Sequence, residues 1–184
     1  MTIRFLSAAF AALLLSSQAM AVDCSSQSRP ETTPTERFTI NADGTVVDKH
    51  TGLMWMSCSV GQSWDGKTCT GKAETFSWTE TDAAKDELNK ANYAGHGDWR
   101  VPMVPELASI VELQCFNPRV NVKVFPATAS DLYWSSMEKK GTTDRAYTLN
   151  FGEGEATPTN KSKDGALRLV RGGPWWTPPK MMMQ

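Results

Sequence analysis

Residues 97–107 read Gly97-Asp98-Trp99-Arg100-Val101-Pro102-Met103-Val104-Pro105-Glu106-Leu107 and mark a change from extended chain to helix. Residues 99–102 are predicted to form a short extended segment. Pro105 suits the first turn of the helix that follows, because its missing N–H would have no partner there in any case. The predicted buried face of this helix consists of Leu107, Ile110 and Val111.

A first helix is predicted upstream of this segment. Ser77 and Glu80 have the spacing of a capping box, in which two side chains satisfy backbone N–H groups at a helix start. A narrow apolar stripe follows, formed by Ala84, Leu88 and Ala91. The helix is expected to end between residues 89 and 92.

Short strands are predicted on both sides of the two helices. Residues 38–40 and 45–48 flank an Asp43-Gly44 turn, which favours a hairpin, and residues 53–56 follow as a third strand. Three later strands are predicted at 132–136, 146–151 and 166–171. Strands, two helices and strands in this order indicate an α+β fold with an antiparallel sheet.

The first 21 residues have the pattern of a secretory signal peptide. Arg4 supplies a positive charge, residues 5–15 are apolar, and Ala19-Met20-Ala21 suits cleavage. The apolar run is too short for a permanent membrane anchor, and no later stretch approaches the required length. The mature chain is therefore expected in the bacterial periplasm or outside the cell, starting with an extended polar segment at residues 22–36.

Composition points to one loop-rich domain without a nucleic-acid partner. The formal net charge is −1, which is far from the strongly basic surface of nucleic-acid-binding proteins. The chain has seven tryptophans together with many well-spread turn-forming residues, which indicates short strands and few helices.

Four cysteines lie beyond the predicted signal peptide, and an even number in an exported chain indicates disulfides. Three pairings are possible. Cys58–Cys69 is favoured because glycines mark a turning loop between them, and Cys24–Cys115 then follows by elimination. Zinc binding is the weaker alternative, since only two histidines are available to complete a site.

The chain resembles the Lcl C-terminal domain family over roughly residues 37–173. The resemblance lies in four ordered motifs: Gly52-Leu53-Met54-Trp55, Gly97 to Pro102 with Glu106-Leu107, Tyr133-Trp134-Ser135-Ser136, and Leu169-Val170-Arg171-Gly172. This bacterial family is named for the tail domain of a collagen-like adhesin, and much of it has no known function. Two segments also resemble, more distantly, sulfatase-modifying-factor domains. That resemblance implies a C-type lectin-like fold, with two helices packed on a small twisted antiparallel sheet and long irregular loops.

The chain departs from the family pattern at two places. Met103 stands where the family commonly has Thr or Asn, which removes a helix N-cap worth about 1 kcal/mol unless another group replaces it. Residues 174–184, which include Trp175 and Trp176, lie beyond the pattern.

Large and charged side chains within the motifs are expected to have structural roles. Trp55, Trp99 and Trp134 are predicted to fill the core. Arg100 and Arg171 are predicted to pair with carboxylates or backbone carbonyls, and Asp98 and Glu106 are the candidate partners.

The favoured functional hypothesis is a non-catalytic binding module outside the cytoplasm. The predicted loops at 117–131, 137–145 and 152–164 would form its binding surface. Two of these loops carry five cations: Lys139, Lys140, Arg145, Lys161 and Lys163. If these cations converge, they suit an acidic or sulfated glycan, as the adhesin resemblance also implies. A cell-envelope protein is the other expected partner.

Two alternatives come from different classes of protein. A structural or assembly subunit of a pilus or envelope complex would dock through Trp175 and Trp176. An enzyme like the formylglycine-generating proteins would need a cysteine pair near its C-terminus, whereas the last cysteine is Cys115. No catalytic, metal-binding or cofactor-binding motif is recognised, so no such site is expected.

Overall fold

The structure, a computed structural model, describes Cys24 and residues 29–173. Its strands are β1 Phe38–Ile40, β2 Thr45–Asp48, β3 Met54–Met56, β4 Ser63–Trp64, β5 Cys69–Thr70, β6 Thr75–Phe76, β7 Leu132–Glu138, β8 Arg145–Asn150, β9 Glu155–Asn160, β10 Gly165–Ala166 and β11 Val170–Arg171. Its α-helices are α1 Thr81–Lys90 and α2 Val104–Ser109, and 3-10 helices span Thr35–Arg37, Trp78–Glu80 and Tyr93–Gly95. Few helices and several small sheets are compatible with the predicted α+β class. The predicted signal peptide and the Trp175-Trp176 pair lie outside the described residues.

An antiparallel sheet with the order β1-β2-β3-β11 contains the predicted N-terminal hairpin. Phe38 lies opposite Asp48 in the register of β1 and β2. The carboxylate of Asp43 accepts hydrogen bonds from the backbone N and the hydroxyl of Thr45, at 3.0 and 2.7 Å. Gly44 has a φ of +82°, which side chains other than glycine rarely adopt. The turn chemistry expected of Asp43-Gly44 is therefore confirmed.

A second sheet has the order β6-β10-β7-β8-β9, in which only the β10–β7 pair is parallel. The prediction of a loop at 152–164 is wrong for the residues of β9, which pair with β8 along the whole length of the strand. Its sequence is polar and contains Pro158, which hides the strand in a sequence pattern, although a sheet edge tolerates proline. Strands β7 and β8 also extend into the predicted 137–145 loop, so Arg145 lies in a strand.

The strand predicted at 166–171 is two short strands in different sheets. Between β10 and β11, the Leu167 carbonyl accepts a hydrogen bond from the Val60 N, and the Leu169 carbonyl accepts one from the Met56 N. The side chains of residues 167–169 are all buried. This segment links the two sheets through the interior, which explains why its strand-like apolar pattern continues across the break.

Both predicted helices are present where the capping patterns place them. The Glu80 carboxylate accepts hydrogen bonds from the Ser77 N and Oγ, at 2.8 and 2.7 Å, so the predicted capping interaction forms around the 3-10 turn that precedes α1. Pro105 lies in the first turn of α2. The predicted apolar faces are only partly helical: Leu107 is buried in α2, whereas Ile110 and Val111 are buried beyond its end. In α1, Ala84 and Leu88 are half-buried, and Ala91 lies past the helix end and is exposed.

The core consists of two apolar clusters. The first lies between α2 and the inner faces of the two larger sheets, and the second lies beneath α1. Trp55, Trp99 and Trp134 are at most 2% exposed, which confirms the prediction that they fill the core. The predicted arginine pairs are also confirmed: Arg100 binds Glu106, and Arg171 binds Asp98 at 2.7 Å.

The described part of the N-terminal segment is held against the domain by the buried carboxylate of Glu112. This carboxylate accepts hydrogen bonds from the N of Thr32 at 3.1 Å, and from the N and Oγ1 of Thr33 at 2.6 and 2.8 Å. The Asn121 amide donates to the Thr33 carbonyl at 2.8 Å. Residues 32 and 33 therefore pack as part of the domain.

Both predicted disulfides are present. Cys58 is bonded to Cys69, eleven residues away, across the turning loop that contains β4 and β5. Cys24 is bonded to Cys115, which ties the N-terminal segment to the chain beyond α2. None of the cysteines is free.

Candidate functional site

Two turns meet at one end of the five-stranded sheet. One is the β7–β8 turn at residues 139–144, and the other follows β9 at residues 161–164. Successive antiparallel strands place these two turns at the same end, opposite the β8–β9 turn. The Lys161 N donates to the Asp144 carbonyl at 2.8 Å, and the Trp78 N donates to the Lys161 carbonyl at 2.9 Å. The backbone thus joins both turns to the start of α1.

A polar cleft of about 380 Å³ lies at this junction. It is lined by Ser77, Thr79, Thr143, Asp144, Asn160, Lys161 and Ser162. These residues present hydroxyls, a carboxylate, an amide and an ammonium group, which can both donate and accept hydrogen bonds. The arrangement suits a ligand rich in hydroxyl groups and charge more than an apolar one.

Lys161 lines the cleft and has two side-chain contacts. Its Nζ lies 2.6 Å from Oε2 of Glu138 and 4.3 Å from the centre of the Trp78 ring. The indole is itself fixed, because its Nε1 donates to the Ser135 carbonyl at 2.9 Å. A cation between a carboxylate and an aromatic face is held in place by both. Lys161 therefore has two partners at the cleft wall, and Glu138 offsets part of its charge.

The five predicted site residues all belong to the two converging turns or to the strand end beside them. Lys161 lines the cleft. Lys140, Arg145 and Lys163 are exposed, and Lys139 is half-buried. Arg145 stands opposite Asn160 in the β8–β9 register, so it lies beside the cleft wall. The two turns that carry four of these cations thus lie at the same end of the sheet, and Lys161 is the one of the five that lines the cleft.

The third predicted loop does not take part in this site. None of residues 117–131 lines the cleft within the described part of the chain. Instead, Phe125 of this segment is buried in the core, and Val120 bridges to Val111 near α2. The cleft is thus formed by the two turns and the 3-10 turn before α1, whereas apolar residues hold segment 117–131 in the core.

The charge at the site is positive but mixed. Residues 138–145 and 160–164 together carry five cations and three carboxylates, those of Glu138, Asp144 and Asp164. The remaining net charge is small, and because most of these charges are exposed, salt would screen any attraction for a polyanion.

Sequence patterns missed one contact beside the cleft and one buried side chain in the core. Trp78 contacts Lys161 across 83 positions of sequence, and only the folded chain brings the two together. Arg168 is fully buried and binds the carbonyls of Met56 and Ser57 and the hydroxyl of Thr128. The one signal in the sequence for the burial of Arg168 was that apolar residues precede and follow it.

Other kinds of site are not apparent in the described residues. Among Cys24 and residues 29–173, no group of three or more His, Cys, Asp or Glu side chains is arranged to hold a metal ion. Within the same residues, no helix has both the length and the apolar character needed to cross a membrane.

Comparison with known proteins assigns the chain to a family. Among curated proteins, none is significantly similar to this sequence. The family model of the Lcl C-terminal domain matches residues 44–171, from the hairpin glycine to the last strand. The matched region includes both helices, the five-stranded sheet, the four-stranded sheet except β1, and the polar cleft. Since it spans well over half of the sequence, the chain belongs to the Lcl C-terminal domain family.

Proposed function

We propose that this protein is a non-catalytic binding module that works outside the cytoplasm and binds an acidic, sulfated glycan at the polar cleft. The observation that supports this proposal is the convergence of the 139–144 and 161–164 turns, joined by the hydrogen bond from the Lys161 N to the Asp144 carbonyl. The two turns and the strand end beside them carry the five cations, of which Lys161 lines the hydrogen-bonding cleft.

The chemistry of the cleft matches that ligand class. Sulfate groups attract the exposed cations Lys140, Arg145 and Lys163, while sugar hydroxyls can exchange hydrogen bonds with the cleft's hydroxyl, amide and carboxylate groups. Because these cations lie on the surface, each contributes modestly, and a repeated polyanion would engage several at once.

The proposed architecture is C-type lectin-like, with irregular turns at one end of the sheet serving as the binding surface. The element order of strands, two helices and strands supports this assignment. Two disulfides and the signal-peptide pattern support a location in the periplasm or outside the cell.

The test is binding of the purified, oxidised protein to immobilised sulfated polysaccharide, with the desulfated polymer for comparison, at low and physiological salt. The triple variant Lys139→Ala, Lys140→Ala, Lys163→Ala should bind at least about tenfold more weakly, which corresponds to roughly 0.5 kcal/mol for each charge.

A control variant removes the same charge elsewhere: Lys67→Ala, Lys72→Ala, Lys123→Ala, all exposed and outside both turns. It should retain most of the binding. Equal losses in the two triple variants would refute a local site, and the absence of salt-sensitive binding to the sulfated polymer would refute the glycan proposal.

A further inference from the structure

A second groove lies beside α1. It has a volume of about 400 Å³ and lies between α1, the extended segment at 100–103 and strand β7. Its lining residues are Asp82, Lys85, Arg100, Val101, Met103 and Ser136. Val101 and Met103 give it an apolar floor, and none of these residues belongs to the polar cleft.

The described chain ends beside this groove. The Gly172 carbonyl accepts hydrogen bonds from Nε and Nη2 of Arg100, at 3.1 and 3.0 Å. Trp175 is three residues further on and Trp176 is four. An extended chain covers roughly 10 Å in three residues, so both indoles can reach a groove that Arg100 itself lines.

The guanidinium of Arg100 presents its planar faces for contact. All its hydrogen bonds lie at its edges: Nη1 and Nη2 donate to Glu106, and Nε and Nη2 donate to Gly172. The side chain is nevertheless 30% exposed. A guanidinium fixed at its edges is well suited to stack on an aromatic ring.

We infer that this groove binds the Trp175-Trp176 pair of the chain's own C-terminal segment, with an indole on Val101 and Met103 and against the face of Arg100. The inference does not depend on the proposed glycan function. The same groove could instead take the C-terminal segment of a second copy, or remain empty while the tryptophans bind a partner protein. The experiments below separate these outcomes.

The first experiment is a double-mutant cycle on thermal unfolding of the full, oxidised chain. Trp175→Ala with Trp176→Ala should lower the unfolding midpoint by about 2–4 °C. Ser136→Arg, which fills the groove from an exposed position, should cause a similar fall, and combining the changes should add little. The control Ser63→Arg, at an exposed serine of β4, should leave the midpoint unchanged. Full additivity of the two changes would overturn the inference.

The second experiment does not depend on stability. A photoreactive benzophenone amino acid replaces Trp176, and the cross-linked peptides are identified by mass spectrometry. The expected product is a monomer with a cross-link to the peptide containing Met103 or Ser136. A cross-linked dimer through the same peptide would show that a second copy supplies the segment, and cross-links only to other surfaces would show that the groove is not its site. Either of these results would overturn the inference.

Discussion

Arg100 binds Glu106 through both of its terminal nitrogens, with Nη1 2.8 Å from Oε2 and Nη2 2.6 Å from Oε1. The Glu106 side chain is fully buried, and its Oε2 also accepts a hydrogen bond from the Met103 N at 2.7 Å. Glu106 thus satisfies a backbone group at the start of α2, where Met103 offers no capping oxygen. The Glu106 carboxylate therefore links α2 to the extended segment before it and, through Arg100, to the end of the described chain.

Replacing Glu106 with alanine should therefore destabilise the domain by about 3 kcal/mol, since it removes two charge-assisted hydrogen bonds and the cap together. Urea unfolding at neutral pH measures the change. Glu87→Ala, at an exposed position of α1, is the control and should change the free energy of unfolding by less than about 0.5 kcal/mol. A loss for Glu106→Ala as small as that of the control would contradict the structural role of this pair.

Glu112 should make the stability of the domain depend on pH. Burial raises the pKa of this carboxyl, but hydrogen bonds from the backbone of Gln114, Thr32 and Thr33 outweigh burial and hold the pKa below its ordinary value of 4.5. A lowered pKa in the folded state stabilises the fold above about pH 4.5, and this contribution is lost as the pH falls through the folded-state pKa.

The measurement compares the wild-type chain with Glu112→Gln by urea unfolding between pH 7 and pH 3. The variant should be less stable at pH 7, and the difference should shrink below about pH 4.5. Glu155→Gln, an exposed carboxylate of β9, is the matched control. A difference between wild type and Glu112→Gln that stays constant across this range would refute the prediction.

Sequence patterns predicted the local parts of the fold because short-range chemistry determines them. Asp43-Gly44 specifies a turn through its own hydrogen bonds, Ser77 and Glu80 are close enough in sequence to cap a helix, and Pro105 suits a first helical turn. These features depend on neighbours within four residues, so they can be recognised without the tertiary structure.

The parts that were missed depend on distant contacts. Strand β9 exists because β8 provides its hydrogen-bonding partner, although Pro158 and the surrounding polar residues are unfavourable for a strand. The Trp78–Lys161 contact beside the cleft arises only when the 3-10 turn before α1 meets the turn after β9. The candidate cations could be identified because they are charged residues in predicted loops. The polar lining of the cleft could not, since serine and threonine in a turn do not by themselves indicate a binding site.

Arg168 should be among the residues least tolerant of substitution. It is fully buried, its guanidinium donates to the Met56 and Ser57 carbonyls and to the Thr128 hydroxyl, and it lies 4.9 Å from the Phe125 ring centre. Arg168→Met fills similar volume but leaves buried acceptors without donors, each of which costs about 1–3 kcal/mol.

The expected loss for Arg168→Met is about 3 kcal/mol or more in urea unfolding, or failure to accumulate as folded protein. Arg145→Met, which replaces an exposed arginine of β8, is the control for the loss of an arginine as such. If both variants were equally stable, the buried hydrogen bonds of Arg168 would contribute little to the fold.

The Glu138–Lys161 pair provides a prediction in which the proposed binding becomes stronger. Glu138 is 56% exposed and offsets the charge of Lys161, which lines the cleft. Glu138→Gln should therefore raise the affinity for immobilised sulfated polysaccharide by about two- to fivefold at low salt, since surface charge pairs contribute up to about 1 kcal/mol. The gain should fall towards zero at high salt.

Glu153→Gln makes the same charge change in the β8–β9 turn, at the opposite end of the sheet, and should raise the affinity much less. Equal gains in the two variants would show that net charge alone controls binding, and would remove the cleft from the mechanism.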